Sequence, residues 1–298
     1  MTDRVTGSPA TGLFWSGGRP RLDLGGETSL DCRPGTTIGV RLGATRRCIG
    51  WWHRETGRNR CGAEQPIPDA ATDAQCAACA RADHGRRVAR DAAPDDGRPY
   101  RVYLAGFGDD TVKVGITSAA RGTNRLTEQG ALAFLFIAEA RLTIARAAER
   151  AISRSGLATE RVRVAHKPDR WWCVDPDGPQ RLRDTRSAID LTVTLPAGLR
   201  RLSEKVTEQG ALFGLDRPLP PTYRALLSVE PGSALSGRVL VAAGKLLLLD
   251  TAAGPVLCDT RRLAGWPLGT TDEAPTGLVL DLPHRPRTQP IPEQAALF

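Results

Sequence analysis

Apolar and polar residues alternate most regularly between Tyr100 and Thr117. Residues 100–105 (YRVYLA) and 111–117 (TVKVGIT) read as two β-strands, and the intervening GFGDD supplies glycine and aspartate for a turn. A helical stretch is predicted from about Ser118 to Gln129, where Gly130 stops it. The run ALAFLFIAEARL has the length and bounds of a buried central strand, although a helix also fits it. A second helix follows over roughly residues 142–155, carrying TIARAAERAISRSG. The predicted order is therefore strand, strand, helix, strand, helix.

The flanks are patterned differently. RRVARDAAPDDGRP, residues 86–99, is charged, poor in apolar residues and closed by proline, which predicts a linker. Beyond residue 190, LPAGLRRLSEKV predicts a helix and LDRPLPPTY a proline-rich connection. The short β-rich runs of SGRVLVAAGKLLLLDTAAGPVLCDTRRLAGWPL, separated by glycine turns, read as a small β-unit that partly closes into a barrel. The expected fold class is α+β. A zinc-binding β-rich segment and linker take residues 1–98, and a small sheet with helices takes 99–190. A C-terminal β-rich unit takes 191–283, and an extended, mobile tail takes 284–298.

Composition narrows the functional classes. With 298 residues, 41% of them hydrophobic, the chain can build two or three units with cores of their own. No apolar run reaches membrane-spanning length, and MTDRVTGSPATG lacks the layout of a secretory signal, so a cytoplasmic protein with no membrane partner is expected. The net charge of +8 rests on arginine, whose planar fork suits phosphate, so the expected partner is nucleic acid.

Five of the seven cysteines lie in the first 80 residues: Cys32, Cys48, Cys61, Cys76 and Cys79. Cys76 and Cys79 form a C-x-x-C, a spacing that lets two thiolates from one turn bind the same tetrahedral ion, and Cys48 and Cys61 complete a structural zinc site. Cys32 or His84 could replace one of these ligands. A redox C-x-x-C is the rival reading, and it wants a strand before the motif and a helix starting at it. Cys173 and Cys258 stand alone and read as buried, inert thiols. Around the cluster, Arg46, Arg47, Arg54, Arg58 and Arg60 interleave with Trp51, Trp52 and His53. The arginines are candidates for gripping nucleic-acid phosphates; the tryptophans are expected to pack under the metal rather than to stack on bases.

Tyr103 in VYLA, the KVGIT of residues 113–117, Arg121 and Arg125 in the first helix, and Glu149 in the second resemble the GIY-YIG nuclease superfamily, in its phage-type branch. With the preceding cysteine cluster, the wider pattern resembles an uncharacterised bacterial domain-of-unknown-function family that joins a zinc-binding segment to such a core. The first resemblance covers about residues 100–155 and the second most of the chain. HKPDRWWCV, residues 166–174, is similar to a lysine-tryptophan stretch of that family, and Trp171 within it is expected in the core.

The resemblance implies one-metal phosphodiester hydrolysis. Tyr103 would position or deprotonate the attacking water, Arg121 or Arg125 would pair with the phosphate, and Glu149 would hold Mg²⁺ or Mn²⁺. Lys113 stands where the nuclease motif has its second tyrosine, as it tends to in the phage-type branch. It can contact a phosphate but cannot reproduce a phenol's hydrogen bonds.

The last residues, QAALF, resemble the peptide with which bacterial DNA-processing proteins dock on the sliding clamp, with Gln294 supplying hydrogen bonds and Leu297 and Phe298 filling an apolar pocket. Similar stretches at 127–132 and 207–213 read as parts of folded elements. The functional expectation is a nucleic-acid-acting protein, DNA favoured, as a metal-dependent endonuclease in repair or defence. The alternatives are a non-catalytic zinc-containing DNA- or RNA-binding adaptor and an RNA- or translation-associated factor.

Overall fold

A computed structural model describes residues 5–89, 95–108, 110–162, 168–172 and 175–286. Within these the chain is mixed α+β, with several sheets and few helices. It divides into two compact units. One gathers Met1–Gly97, Arg121–Gly130 and Ala211–His284; the other holds Arg98–Ala120 and Ala131–Gly210.

The first unit begins with the meander β1 (Leu13–Ser16), β2 (Arg19–Gly25) and β3 (Thr28–Asp31), followed by β4 (Thr37–Leu42). A short hairpin, β5 (Trp51–His53) with β6 (Gly57–Asn59), precedes the helices α1 (Ala77–Ala82) and α2 (His84–Ala89). The second unit carries β7 (Pro99–Gly106) and β8 (Val112–Ser118). The chain then passes through α3 (Asn124–Gln129) in the first unit and returns to the second for β9 (Ala133–Arg141), α4 (Leu142–Arg154) and α5 (Gly178–Thr192). The strand, strand, helix, strand, helix order expected here is found, with the long apolar run forming a strand, but the first helix is shorter than expected: Ala119–Arg121 form a 3-10 turn and only Asn124–Gln129 are α-helical.

The helix expected in LPAGLRRLSEKV does not form. Pro196 precedes a turn formed by Ala197 and Gly198, and Arg200–Arg201 form β10, paired with Glu139 and Ala138 of β9. A proline removes the backbone donor that a helix interior needs, and β9 offers an edge that satisfies the segment instead. Thr207–Glu208 (β11) pair with the other end of β9, and Gly210–Phe213 form the short α6. The segment expected as a linker opens inside α2, which runs to Ala89; residues 90–94 of it lie outside the described residues.

The remaining strands are β12 (Arg224–Ala243), β13 (Leu246–Thr251), β14 (Gly254–Asp259), β15 (Leu268–Thr270) and β16 (Thr276–Leu280). β12 is 20 residues long and curls the sheet on itself: its end pairs antiparallel with β13, while Arg224 and Ala225 at its start pair parallel with β14. Its middle, Ala234 to Arg238, pairs with Arg41 to Thr37 of β4, so this sheet draws a strand from far up the chain. Leu247, Leu248, Leu249, Val239, Val241 and Trp266 are buried in its core.

In the second unit β7 lies between β8 and β9. Tyr100, Val102 and Leu104 of β7, with Val112 and Val114 of β8, pack against Leu142, Ala145, Ala148 and Ile152 of α4 and Leu182 and Ile189 of α5. Spacings of two on the strands and of three or four on the helix bring these apolar residues onto one shared layer. Among the described residues no helix is long and apolar enough to cross a membrane.

Candidate metal centre and hairpin sites

Cys48, Cys61, Cys76 and Cys79 converge, their sulfur atoms all within 4.8 Å of one another. A tetrahedral ion with metal–sulfur bonds of ~2.3 Å sets sulfur–sulfur edges of about 3.8 Å, so the four cysteines could bind a metal such as zinc with small adjustments. Two ligands flank the β5–β6 hairpin and two come from the start of α1, where Cys76 is the N-cap and Cys79 lies in the helix. A helix does start at the C-x-x-C, as a redox motif would require, but residues 71–75 before it form no strand. Among the described residues neither Cys32 nor His84 joins the cluster. Cys32 is buried elsewhere, its thiol directed to the Leu30 carbonyl at 3.7 Å. Cys258 is buried, and burial pushes its thiol pKa up; Cys173 lies outside the described residues.

The surroundings fit a cation. The backbone N–H groups of Gly50 and Cys76 donate to Cys48 Sγ at 3.4 and 3.2 Å. The N–H of Gln65 pulls the Cys61 thiol down to about 7 against burial, whereas burial and the neighbouring thiols push Cys79 up. Four crowded thiols cannot all ionise without a positive charge among them, and a divalent ion supplies it. Apart from the cysteines, this small core holds Ile67, with Trp51 and Ala71 packed on it, so a metal would be its main cross-link.

A second tie was not foreseen. Asp83, at the end of α1, accepts from Trp52 N at 2.9 Å, Gln75 Nε2 at 3.0 Å and Arg86 N at 3.1 Å, joining the hairpin, the C-x-x-C approach and α2. Burial would raise its pKa, but these donors and the Arg58 charge hold it below the usual carboxylate range. Its signal in the sequence is an aspartate three residues before Arg86, a helix N-cap spacing. Gly50 lets the hairpin close: its φ is +75°, and a Cβ there would collide with the Asn59 carbonyl.

In the second unit, Lys113 Nζ donates to Tyr103 Oη at 3.1 Å and lies 5.5 Å from the ring centroid. Tyr103 is directly opposite Gly115, and its ring occupies the space a Cβ would need there, which accounts for the glycine of KVGIT. The tyrosine is only 2% exposed. It sits one residue out of phase with Val102 and Leu104, so it faces away from the layer that packs on α4, and Lys113 shares its face. Glu149 rides on α4, on the other side of the sheet. Thus Tyr103 and Lys113 are brought together and Glu149 is not brought to them. Arg121 and Arg125 belong to the first unit, where Arg121 pairs with Glu128.

Residues 69–268, well over half of the chain, match the model of a family described as proteins of unknown function, DUF2797. The chain belongs to that family. No curated protein and no solved structure matches it.

The arginines of this DUF2797 chain divide sharply. Arg46, expected on a nucleic-acid face, is 1% exposed. Its Nε donates to the Ala264 carbonyl at 2.9 Å, its Nη1 to Pro68, Asp69 and Ala71 at 2.9, 3.0 and 2.6 Å, and its Nη2 to Arg261 at 3.3 Å. This is a correction: five carbonyls enclose a guanidinium that is therefore structural. Arg47, Arg54 and Arg60 are exposed; Arg47 pairs with Glu64 at 3.0 Å, and Arg54 with Glu55 at 3.1 Å and Asp96 at 3.6 Å. Arg58 is exposed over part of its side chain, but its Nη1 donates to the Ile49 carbonyl at 3.4 Å and burial of the guanidinium lowers its pKa. Arg47, Arg58 and Arg60 line a cleft of about 470 Å³ beside Cys48 and Cys61, with Thr11, Asp23 and Glu64 on its walls. Trp171 is buried and stacks on Trp172, their centroids 6.4 Å apart. Gln294, Leu297 and Phe298 lie outside the described residues.

Proposed function

We propose that this protein is a zinc-stabilised nucleic-acid-binding adaptor that holds DNA through the arginines of its cysteine-braced hairpin. The observation that carries this reading is the position of the metal-ligand cluster at the base of that hairpin, with Arg47, Arg58 and Arg60 around the adjoining cleft. Arginines fixed on a rigid element lose little entropy when they meet phosphate, and the net charge of +8 adds long-range attraction.

The endonuclease reading ranks second. In its favour is the Tyr103–Lys113 pair on adjacent strands. Against it stand the near-complete burial of Tyr103 and the place of Glu149 across the sheet, because hydrolysis needs the water-positioning group and the metal-holding carboxylate at one phosphate. The two readings separate when zinc-loaded protein and Glu149→Ala are incubated with linear, branched and single-stranded DNA in Mg²⁺ or Mn²⁺. The adaptor reading expects equal binding by both proteins and no cleavage. Cleavage by the parent that disappears in Glu149→Ala would establish the nuclease and end the adaptor reading.

A further inference from the structure

The two adjacent tryptophans of the hairpin have different environments. Trp51 packs on the cysteine cluster and meets His53 edge-on, with centroids 5.7 Å apart. Trp52 points the other way and is 40% exposed, although its backbone N–H is anchored on Asp83. The apolar packing on the cysteine cluster lies on Trp51's side of the hairpin, so the exposed part of the Trp52 ring is open to an aromatic ligand. Its cross-strand partner, in direct register, is Arg58. Residues directly opposite on an antiparallel pair project to the same side, so the indole and the Arg58 side chain leave the hairpin together, the guanidinium donating to the Ile49 carbonyl at 3.4 Å. Arg58 also faces the cleft that Arg60 and Arg47 line.

We propose that Trp52 and Arg58 form a binding site for single-stranded nucleic acid, with one base stacked on the Trp52 indole and the adjoining backbone phosphates held by Arg58 and Arg60. This proposal rests on the nucleic-acid reading above and goes further by naming the strandedness and the contacts. A duplex keeps its base faces stacked on each other, so an indole platform discriminates in favour of unpaired bases, whereas arginines alone would not. The metal has a positioning role: with Cys48 before the hairpin and Cys61 after it, one ion would close the base and hold ring and guanidinium at a fixed separation.

Fluorescence anisotropy with the full-length, zinc-loaded protein tests this, using labelled single-stranded DNA, single-stranded RNA and duplex DNA of equal length over a range of salt. The parent should prefer single strands to duplex. Trp52→Ala should weaken single-strand binding by roughly 5- to 150-fold while leaving the salt slope unchanged, and Trp52→Phe should recover most of the loss. Arg58→Ala should reduce the salt slope by about 0.7 for a single phosphate contact. Zinc content and circular dichroism verify that each variant is folded. Full single-strand affinity in a folded Trp52→Ala, or a parent that prefers duplex, would overturn the site while leaving the nucleic-acid reading intact. A parent that binds none of the three probes would overturn both.

Discussion

Replacing Arg46 by methionine keeps most of its aliphatic stem and removes a guanidinium that donates to five backbone carbonyls. Hydrogen bonds from a charged donor contribute about 1.5–3 kcal/mol each, and a buried acceptor left bare costs about 1–3 kcal/mol. These do not add in full. The Pro68 carbonyl keeps the Ala71 N–H at 3.0 Å, the 3.3 Å bond to Arg261 is weak, and the buried charge itself carries a desolvation cost. By analogy with breaking a buried ionic cluster, the net loss should be about 3–5 kcal/mol. Lysine can reach the three carbonyls around Nη1 but cannot also serve Ala264, so Arg46→Lys should lose about half as much. Urea denaturation of zinc-loaded proteins, followed by circular dichroism and tryptophan fluorescence, measures both. Folded Arg46→Lys should keep the parent's nucleic-acid affinity and salt slope, because the guanidinium it replaces touches no solvent-facing ligand. The reasoning is refuted if Arg46→Met stays within about 0.5 kcal/mol of the parent. It is equally refuted if Arg46→Lys lowers the salt slope by about 0.9 on duplex DNA, the mark of a lost phosphate contact.

Two further outcomes are expected. Purified protein should carry one zinc per chain by elemental analysis, and a chelator should expose Cys48, Cys61, Cys76 and Cys79 to thiol reagents and abolish the near-ultraviolet dichroism of the hairpin tryptophans; unchanged thiol reactivity after metal removal would sink the assignment. Glu139 is held below its ordinary pKa of 4.5 first by Arg200 at 2.6 Å and then by Arg101 at 3.2 Å, so the unfolded chain binds its proton more readily than the folded one. Its contribution is therefore complete above about pH 5 and is lost as pH falls below the ordinary value. It is worth about 1 kcal/mol or less for so accessible a pair. Glu139→Gln should narrow its stability deficit against the parent between roughly pH 5 and 3, and a deficit independent of pH would contradict this.

Local pattern made much of this protein legible. The C-x-x-C at Cys76 and Cys79, the strands about GFGDD and the spacing of Leu142, Ala145, Ala148 and Ile152 on α4 each depend on neighbours within a few residues, so spacing and turn chemistry suffice to read them. What only the tertiary structure decided involves partners far apart in the chain. β4 finds its partner in the middle of β12, and Arg46 finds its acceptors at Ala264 and Arg261, which no window around either residue contains. LPAGLRRLSEKV looked helical until the edge of β9 was there to pair with Arg200 and Arg201. The same holds for the site residues. Residue type nominated Tyr103, Lys113 and Glu149 together, but strand alternation against the α4 layer sets the first two on one face and leaves the third on the other. Trp51 and Trp52 are identical in composition and one position apart. Register with β6 packed one of them, half-buried, against the cysteine cluster and left the other more exposed, because burial belongs to the assembled layers and not to the residue.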